Sequence, residues 1–170
     1  FPTDVDGRRY GDIEVLVVGG DDTEVAQELF RVKGAGTPTM STTPGATATL
    51  ITDDEGNSRS VFVTRPTEKH IAFKIEYSVG EGTLPIDATI LMEAAVLSRV
   101  GTQSLGEDVV PNKYIGSVYQ AVTSGLGSVT VYAQELAASG DPVIPANWST
   151  SVLVVGDIEY ATSDGIDVTV

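Results

Sequence analysis

The stretch VLVVGGDDTEVAQELF, residues 15–30, runs from a β-branched segment through a glycine pair into the spacing of an amphipathic helix. Residues 13–18 are short, rich in valine and stopped by the glycines at 19–20, which favours a mostly buried strand. Asp21 stands where its carboxylate can cap the first helical amides, and Glu24 follows three residues later as in a capping box. The sequence therefore predicts a strand, a tight turn and a helix in succession.

The predicted helix has one apolar face and a glycine-rich end. Its apolar residues recur at i, i+4 and i+7, and they are Val25, Leu29 and Val32. Gly34 and Gly36 favour the end of the helix, because glycine readily adopts the conformation that follows a last turn. The following segment, 34–46, is rich in glycine, proline and small residues and is predicted to be a loop.

A β-hairpin is predicted next, followed by a boundary between modules. The β-prone runs 46–52 and 58–64 flank DDEGN at 53–57, which has the composition of a tight turn. Arg65 and Pro66 come next, and proline cannot donate a hydrogen bond within a central strand. We therefore place a junction between two modules at Pro66 and expect it to act as a hinge.

The second module begins with the clearest strand pattern in the sequence. From His70 onward, apolar residues alternate with polar ones, and the apolar set is Ile71, Phe73, Ile75, Tyr77 and Val79. After a glycine-containing turn, Pro85 fits the first turn of a helix whose aligned apolar residues are Ile86, Ile90, Ala94 and Leu97. A further helix is predicted with Asn112 as its cap, and its apolar stripe consists of Ile115, Val118, Tyr119 and Val122.

The remaining strands complete the predicted fold class. They are expected at 128–134, 152–155 and 166–170. Helices grouped between strands favour an α+β arrangement over a doubly wound parallel sheet. We therefore predict an α+β fold of two small modules, 1–66 and 67–170, with mainly antiparallel sheets and helices packed on one face.

Composition narrows the range of partners. The chain carries 24 acidic against 10 basic residues, and its net charge of −14 would repel a nucleic-acid backbone. Without cysteine there is neither a disulfide framework nor a thiolate zinc site, and the short apolar runs predict no membrane insertion. The chain opens at Phe1 without a methionine or a signal-like segment, which favours a fragment of a longer protein.

The turn GGDD, residues 19–22, is the main candidate for chemistry. A glycine-rich turn before a helix can hold a pyrophosphate, but the G-x-G-x-x-G spacing is absent and two aspartates would oppose the phosphate. The turn also resembles the Gly-Gly-Asp signature of nucleotidyl cyclases and the Gly-Asp-Asp of polymerases, in which paired carboxylates hold magnesium. The alternative function is thus a metal-dependent nucleotide enzyme using Asp21 and Asp22. A helix cap explains the same residues without chemistry, and we favour that interpretation.

The other candidate sites carry weaker signals. DDEGN has its glycine at the fourth position rather than the sixth of a calcium loop, and Thr64 stands where the bidentate glutamate belongs. GAGTPTMSTT, residues 34–43, lacks the Gly-Lys-Ser/Thr of a phosphate-binding loop. His70 is the only histidine, and Trp148 is expected to anchor its loop or to contribute to a protein interface. We therefore predict no catalytic, cofactor-binding or metal-binding residue.

Three segments together resemble a known family. They are VVGGDDTEVAQELFRVKGAGTPT at 17–39, DDEGNSRSVFVTRPT at 53–67 and GEDVVPNKYIGSVYQAV at 106–122. In order and spacing they are similar to the baseplate J family of contractile-tailed phages, over most of the chain. By this resemblance, the chain up to Pro66 corresponds to the family's middle region and the rest to its C-terminal region, while the family's N-terminal region is missing.

The resemblance implies a baseplate wedge protein, which is made in the host cytoplasm, belongs to the virion and has no known enzymatic chemistry. Its implied partners are other baseplate and tail proteins and further copies of itself, with no cofactor. Residues 67–170 carry 4 basic and 13 acidic residues, a net charge of −9, against −5 for residues 1–66. We therefore expect the second module to face a more basic partner. A third hypothesis is a secreted carbohydrate-binding or adhesion module, which would need an aromatic platform. The chain has one tryptophan and six tyrosines spread along it, so the sequence gives little sign of such a platform.

Overall fold

A computed structural model of the chain describes residues 11–33, 36–39 and 45–170. The chain divides into two compact units, Phe1–Pro66 and Thr67–Val170. The division falls at the proline where the sequence places the junction. Within the described ranges, three α-helices, one short 3-10 helix and two small sheets give an α+β fold, as predicted.

The first unit pairs one helix with one hairpin. Helix α1 spans Asp22–Val32, and strands β1 (Ala46–Thr52) and β2 (Ser58–Thr64) form an antiparallel pair. The register is continuous from the Ala46 and Thr64 pair to the Thr52 and Ser58 pair, so the predicted hairpin is confirmed with the same strand limits.

The core of the first unit lies where α1 contacts the hairpin. Its buried residues are Ala26, Ile51, Val61 and Val63, and Val17, Val25, Leu29 and Phe30 pack against them. Val32, which the sequence assigns to the buried face, is 60% exposed. At about 100° per residue, Val32 lies about 120° around the helix from Ala26 and points away from the sheet. The helix is confirmed, but its buried face is rotated towards Ala26.

The end of α1 precedes the predicted glycine stop. The helix ends at Val32, and Lys33 already has an extended backbone conformation. Gly34 lies outside the described residues, as do residues 35 and 40–44 of the predicted loop.

Residues 13–18 form two isolated bridges rather than the predicted strand. Ile13 pairs with Thr39 and Leu16 pairs with Thr64, both in parallel orientation. Because the two ends pair with different segments, no continuous ladder forms, and none of the six residues is buried. The prediction of a mostly buried strand was therefore wrong.

The second unit packs two helices on one face of a three-stranded sheet. Its elements in chain order are β3 (Thr67–Val79), α2 (Ala88–Val100), α3 (Asn112–Ala121), β4 (Leu126–Leu136), a 3-10 turn (Pro145–Asn147) and β5 (Glu159–Thr169). The strand order is β4-β3-β5, with β3 antiparallel to β4 and parallel to β5. Helix α2 packs beside β5 and α3 beside β4. The sheet is therefore mixed, with its core between the helices and the central strand.

Three details of the second unit differ from the sequence-based expectation. Residues 152–155 form only one isolated bridge, between Leu153 and Val109, instead of a strand. Strand β5 begins at Glu159 rather than at residue 166. The sequence-based prediction missed its first half because EYATSDG is polar and shows no apolar alternation, as is usual for a half-exposed edge strand. Asn112 does not cap α3. It is the first helical residue, and Pro111 precedes it without a capping side chain.

The predicted apolar face of β3 is confirmed. Ile71, Phe73 and Ile75 are buried and form the centre of the core, whereas Val79 at the end of the strand is 59% exposed. On α3, Val118 is buried as predicted, and Tyr114 is a buried residue that the predicted stripe missed. The Tyr114 ring meets the Phe73 ring edge-on, with centroids 5.1 Å apart.

Helix α2 buries a different face from the predicted one. Its buried residues are Ala88, Met92, Val96 and Val100, while the predicted set of Ile86, Ile90, Ala94 and Leu97 faces outward. The sequence ATILMEAAVLSRV is apolar almost all round, so two stripes with four-residue spacing are available. Periodicity alone could not choose between them, and packing against β5 and α3 buries the stripe that begins at Ala88.

We expect Tyr114→Phe to leave the free energy of unfolding unchanged or raise it by about 1 kcal/mol. The Tyr114 hydroxyl is buried and has no hydrogen-bond partner among the described residues, so its removal relieves an unpaid desolvation cost. Burial raises the pKa of Tyr114 to about 12. In the unfolded chain the Tyr114 hydroxyl ionises near pH 10, whereas in the folded chain it stays neutral up to about pH 12. The free energy of unfolding therefore falls as the pH rises from about 10 to about 12.

Urea unfolding at pH 8 and at pH 11 measures both effects. The loss of stability between these pH values should be smaller in Tyr114→Phe than in the parent chain. Tyr119→Phe is the matched control, because the exposed Tyr119 hydroxyl donates to the Gly127 carbonyl at 2.7 Å. A cost above about 1 kcal/mol for Tyr114→Phe at pH 8 would mean that the hydroxyl makes a stabilising bond in solution.

Candidate functional site

The GGDD turn forms the entry to α1. Gly19 and Gly20 have φ values of 72° and 78°, which lie in the left-handed region that glycine adopts without strain. The Asp21 carboxylate then accepts hydrogen bonds from the amides of Thr23 at 2.9 Å and Glu24 at 3.2 Å. Asp21 is therefore the cap of α1, as predicted, and its charge interacts favourably with the helix dipole.

Arg65, the residue that follows β2, forms hydrogen bonds to the same turn. Its guanidinium donates to the carbonyl oxygens of Val17, Gly19 and Gly20 and to the carboxylate of Asp22, with an Nε to Oδ1 distance of 3.1 Å. The Arg65 side chain is only partly exposed. Because the planar guanidinium presents a fixed set of donors, it can hold three carbonyls and one carboxylate at once. We call these five residues the Arg65 clamp.

The clamp determines what the two aspartates can do chemically. Asp21 is bonded to two amides and Asp22 is bonded to Arg65. A magnesium ion bridging these carboxylates would have to displace the guanidinium from Asp22 and compete with the amides at Asp21. Across residues 11–33, 36–39 and 45–170, no group of three His, Cys, Asp or Glu side chains is placed to hold a metal ion.

Sequence reasoning found the helix cap but missed Arg65. The cap needs only neighbouring residues, whereas Arg65 reaches a turn 43 residues earlier in the chain. The one available signal was an arginine directly after a predicted strand, which indicates no particular partner. The fold therefore supplies the cation beside the aspartates that the local sequence lacks.

The DDEGN segment is a hairpin turn that the carboxylate of Asp53 stabilises with hydrogen bonds. Asp53 accepts hydrogen bonds from the Asn57 amide at 2.8 Å and the Glu55 amide at 3.1 Å, and from the Arg59 guanidinium at 3.0 Å. The bond from the Asn57 amide is the main cause that lowers the pKa of Asp53. The leading carboxylate thus serves the turn, in agreement with the hairpin interpretation.

The loop GAGTPTMSTT is described only at residues 36–39. Thr39 is buried, and its hydroxyl accepts a hydrogen bond from the Phe62 amide at 2.7 Å. Lys33 donates to the Thr37 carbonyl at 2.7 Å. The described part of the loop is therefore attached to β2 and to the end of α1.

Trp148 lies on the sheet face opposite the helices. Lys74 Nζ is 5.6 Å from the centroid of the Trp148 ring and 4.6 Å from that of Tyr132, and it pairs with Glu76 at 2.7 Å. Cation–π contacts of this kind hold a loop against a sheet. The structure supports the expectation that Trp148 anchors its loop.

An open cleft of about 230 Å³ lies beside Trp148 and contains three aspartates, Asp141, Asp164 and Asp167. Asp141 accepts from the Ala138 amide, and Asp164 accepts from the Gly140 amide and the Ser139 hydroxyl. The Gly140 bond is the main cause that lowers the pKa of Asp164. Two of the three carboxylates therefore fix the loop that follows β4.

His70 lies on the central strand β3, and its Nδ1 is 4.0 Å from Glu68. The histidine pairs with Leu136 of β4 and Thr162 of β5 across the sheet. It is therefore a sheet residue near the start of β3, where the sequence placed it.

The second unit exposes uncompensated negative charge and one apolar surface. Three of its four basic residues, Lys69, Lys74 and Lys113, are in salt bridges with neighbouring glutamates. The apolar surface, which we call the α2 outer stripe, consists of Ile86, Ile90, Ala94 and Leu97. Ile86 is fully exposed, Ile90 is 65% exposed and Leu97 is 50% exposed. Contiguous exposed apolar residues on a charged surface are typical of protein contacts.

No protein-family model matches the chain, and no curated protein matches it either. The fold itself defines an α+β protein of two units, with a clamped turn in the first unit and an acidic surface with an apolar stripe in the second. None of the helices in the described ranges is long and apolar enough to cross a membrane.

Proposed function

We propose that this chain is a structural component of a contractile phage tail baseplate, a wedge protein that acts through protein contacts. The single observation that carries the proposal is the Arg65 clamp. The residues that look most reactive in the sequence, Asp21 and Asp22, hold a helix cap and an arginine instead of a free site. The apolar and acidic surface of the second unit is the kind of surface that protein contacts use.

The segments that resemble the baseplate J family add support. The Arg65 clamp joins two of them, because Gly19, Gly20 and Asp22 lie in 17–39 while Arg65 lies in 53–67. The third segment contains α3, which supplies Tyr114 and Val118 to the second core. The resembling residues thus serve the architecture of both units, as expected if the chain shares the family's lack of known enzymatic chemistry.

The proposal includes the partners and the location. The chain would belong to the virion tail baseplate after synthesis in the host cytoplasm. It would contact other baseplate and tail proteins, with a basic surface facing the second unit. Charge complementarity of this kind guides assembly and excludes wrong contacts, and it weakens as salt screens the charges.

We expect mass spectrometry of purified tails to detect this chain. The particles should come from the virus or prophage that carries its gene, and crosslinking should join the second unit to other tail proteins. Crosslinks between Lys69, Lys74 or Lys113 and a tail protein would place that unit at an interface. Intact, infectious tails that lack the chain would contradict the proposal.

The metal-dependent nucleotide enzyme makes a different prediction for the same protein. Magnesium with a nucleotide, at about 100 times the dissociation constant, would stabilise the chain by roughly 2.7 kcal/mol. Asp21→Asn is the matched variant, because asparagine caps a helix as well as aspartate but lacks the charge for a metal. A thermal shift of that size in the parent chain that is lost in Asp21→Asn would favour the enzyme over the baseplate protein.

A further inference from the structure

We infer that the α2 outer stripe is a docking surface for a protein helix that presents an apolar strip flanked by basic residues. The inference rests on the proposed function only in assuming that the chain acts through protein contacts. It adds the surface that is used and the chemistry of the partner.

The stripe cannot be explained by the packing of its own helix. The opposite face of α2 already supplies the core through Ala88, Met92, Val96 and Val100. A helix that is apolar on both sides is normally buried on both sides. Instead, Ile90 and Leu97 remain 65% and 50% exposed, and Ile86 is fully exposed just before the helix begins. Covering these side chains would remove apolar surface from water, which favours association.

The dimensions of the stripe fit a helical partner. Ile90 and Leu97 are separated by two helical turns, or about 10 Å along the axis at 1.5 Å per residue. Ile86 extends the stripe beyond the start of α2. A partner helix with apolar residues at i, i+3 or i+4 and i+7 would match this length, which is the usual pattern of helix recognition.

The charges around the stripe determine the type of partner. At about 100° per residue, Asp87 and Glu93 lie about 60° to either side of Ile90, whereas Arg99 lies on the far side of the helix. Neither Asp87 nor Glu93 forms a salt bridge within the described part of the chain. The whole unit carries a net charge of −9 from 13 acidic and 4 basic residues. An occupant with basic flanks would therefore be attracted and an acidic one repelled.

A second copy of the chain is a poor occupant for the same reason. The middle of the stripe falls at residues 91–92, so an antiparallel two-fold arrangement centred there brings Glu93 within about one helical turn of the Glu93 of the other copy. Like charges at such short distance oppose association. The geometry and the charge therefore point to a different, basic protein.

The test uses synthetic helical peptides of about 14 residues, or four turns, as the probe. One peptide carries a leucine stripe flanked by lysines, and a second carries the same stripe flanked by glutamates. At low salt, fluorescence anisotropy should show that the lysine peptide binds the chain at least about tenfold more tightly than the glutamate peptide. The difference between the two peptides should shrink as salt is added. The double variant Ile90→Ser and Leu97→Ser should weaken binding of the lysine peptide by about tenfold or more.

The matched control replaces two exposed valines that lie outside the stripe but in the same unit. Val79 and Val154 are 59% and 69% exposed, so Val79→Ser with Val154→Ser removes similar apolar surface and leaves the net charge unchanged. This control should bind the lysine peptide like the parent chain. Both double variants alter exposed side chains, so both should fold like the parent chain, and circular dichroism checks this.

Three results would overturn the inference. They are equal binding of the two peptides, equal loss of binding in the two double variants, and a dimer in sedimentation that disappears in Ile90→Ser with Leu97→Ser. The last result would make a second copy the occupant. Absence of the chain from purified tails would instead overturn the baseplate proposal and leave the peptide result standing.

Discussion

Arg65→Ala is expected to lower the free energy of unfolding of the first unit by roughly 2–4 kcal/mol. The guanidinium makes five hydrogen bonds, to three carbonyls and to the Asp22 carboxylate. Hydrogen bonds from a charged donor contribute about 1.5–3 kcal/mol each in favourable cases, but they are not additive and water replaces part of the loss at an exposed site. The loss should therefore be well below the sum of the individual bonds.

Arg59→Ala is the matched control for this prediction. Arg59 makes one ion pair, with Asp53, and more than half of its side chain is exposed, so its removal should cost less than about 1 kcal/mol. Arg65→Lys should fall between the two, because an ammonium cannot present the planar set of donors. Urea unfolding measures the stabilities, and amide hydrogen exchange in α1 locates the loss. Equal effects of Arg65→Ala and Arg59→Ala would show that the clamp contributes nothing beyond a surface ion pair.

The elements that the sequence predicted well depend on neighbouring residues. The hairpin follows from two β-prone runs and a turn in which Asp53 bonds to Asn57. The cap of α1 follows from Asp21, and the buried face of β3 follows from strict alternation. In each case the physical cause lies within a few residues of the effect, so the pattern is visible in one stretch of sequence.

The elements that the sequence predicted poorly depend on distant residues. The buried face of α2 is chosen by β5 and α3, since its own sequence offers two apolar stripes. Strand β5 is polar because it lies at a sheet edge, so no alternation marks its first half. Residues 13–18 fail to form a strand because their partners at Thr39 and Thr64 are different segments.

The same distinction applies to the candidate sites. Asp21 was predicted as a cap because the amides it binds are two and three residues away. Arg65 was missed because its partners lie more than 40 residues earlier. The α2 outer stripe was also predicted as apolar, but assigned to the core. Because the stripe is exposed instead, it is a candidate for contact with another protein.

Gly125→Ala is expected to lower the free energy of unfolding of the second unit by about 3–4 kcal/mol. Gly125 has a φ of 71°, and a left-handed conformation costs other residues about 1–2 kcal/mol. A Cβ there would lie 2.6 Å from the Thr83 carbonyl carbon and would also overlap the Leu84 nitrogen. Because both contacts are with backbone, a side chain cannot move aside, and overpacking adds about 1–3 kcal/mol.

Gly116→Ala is the matched control, since it makes the same chemical change in an open position on helix α3. There the substitution should raise stability by about 0.5–1 kcal/mol, because alanine is the better helix former. Urea unfolding of the two variants should therefore show opposite signs, and a similar small effect for both would contradict the close approach at Gly125. The approach also positions the segment leading to Ile86, so Gly125→Ala should weaken binding of the lysine peptide under conditions where the variant is still folded. Gly116→Ala should leave that binding unchanged, which separates the position of the stripe from the stability of the unit.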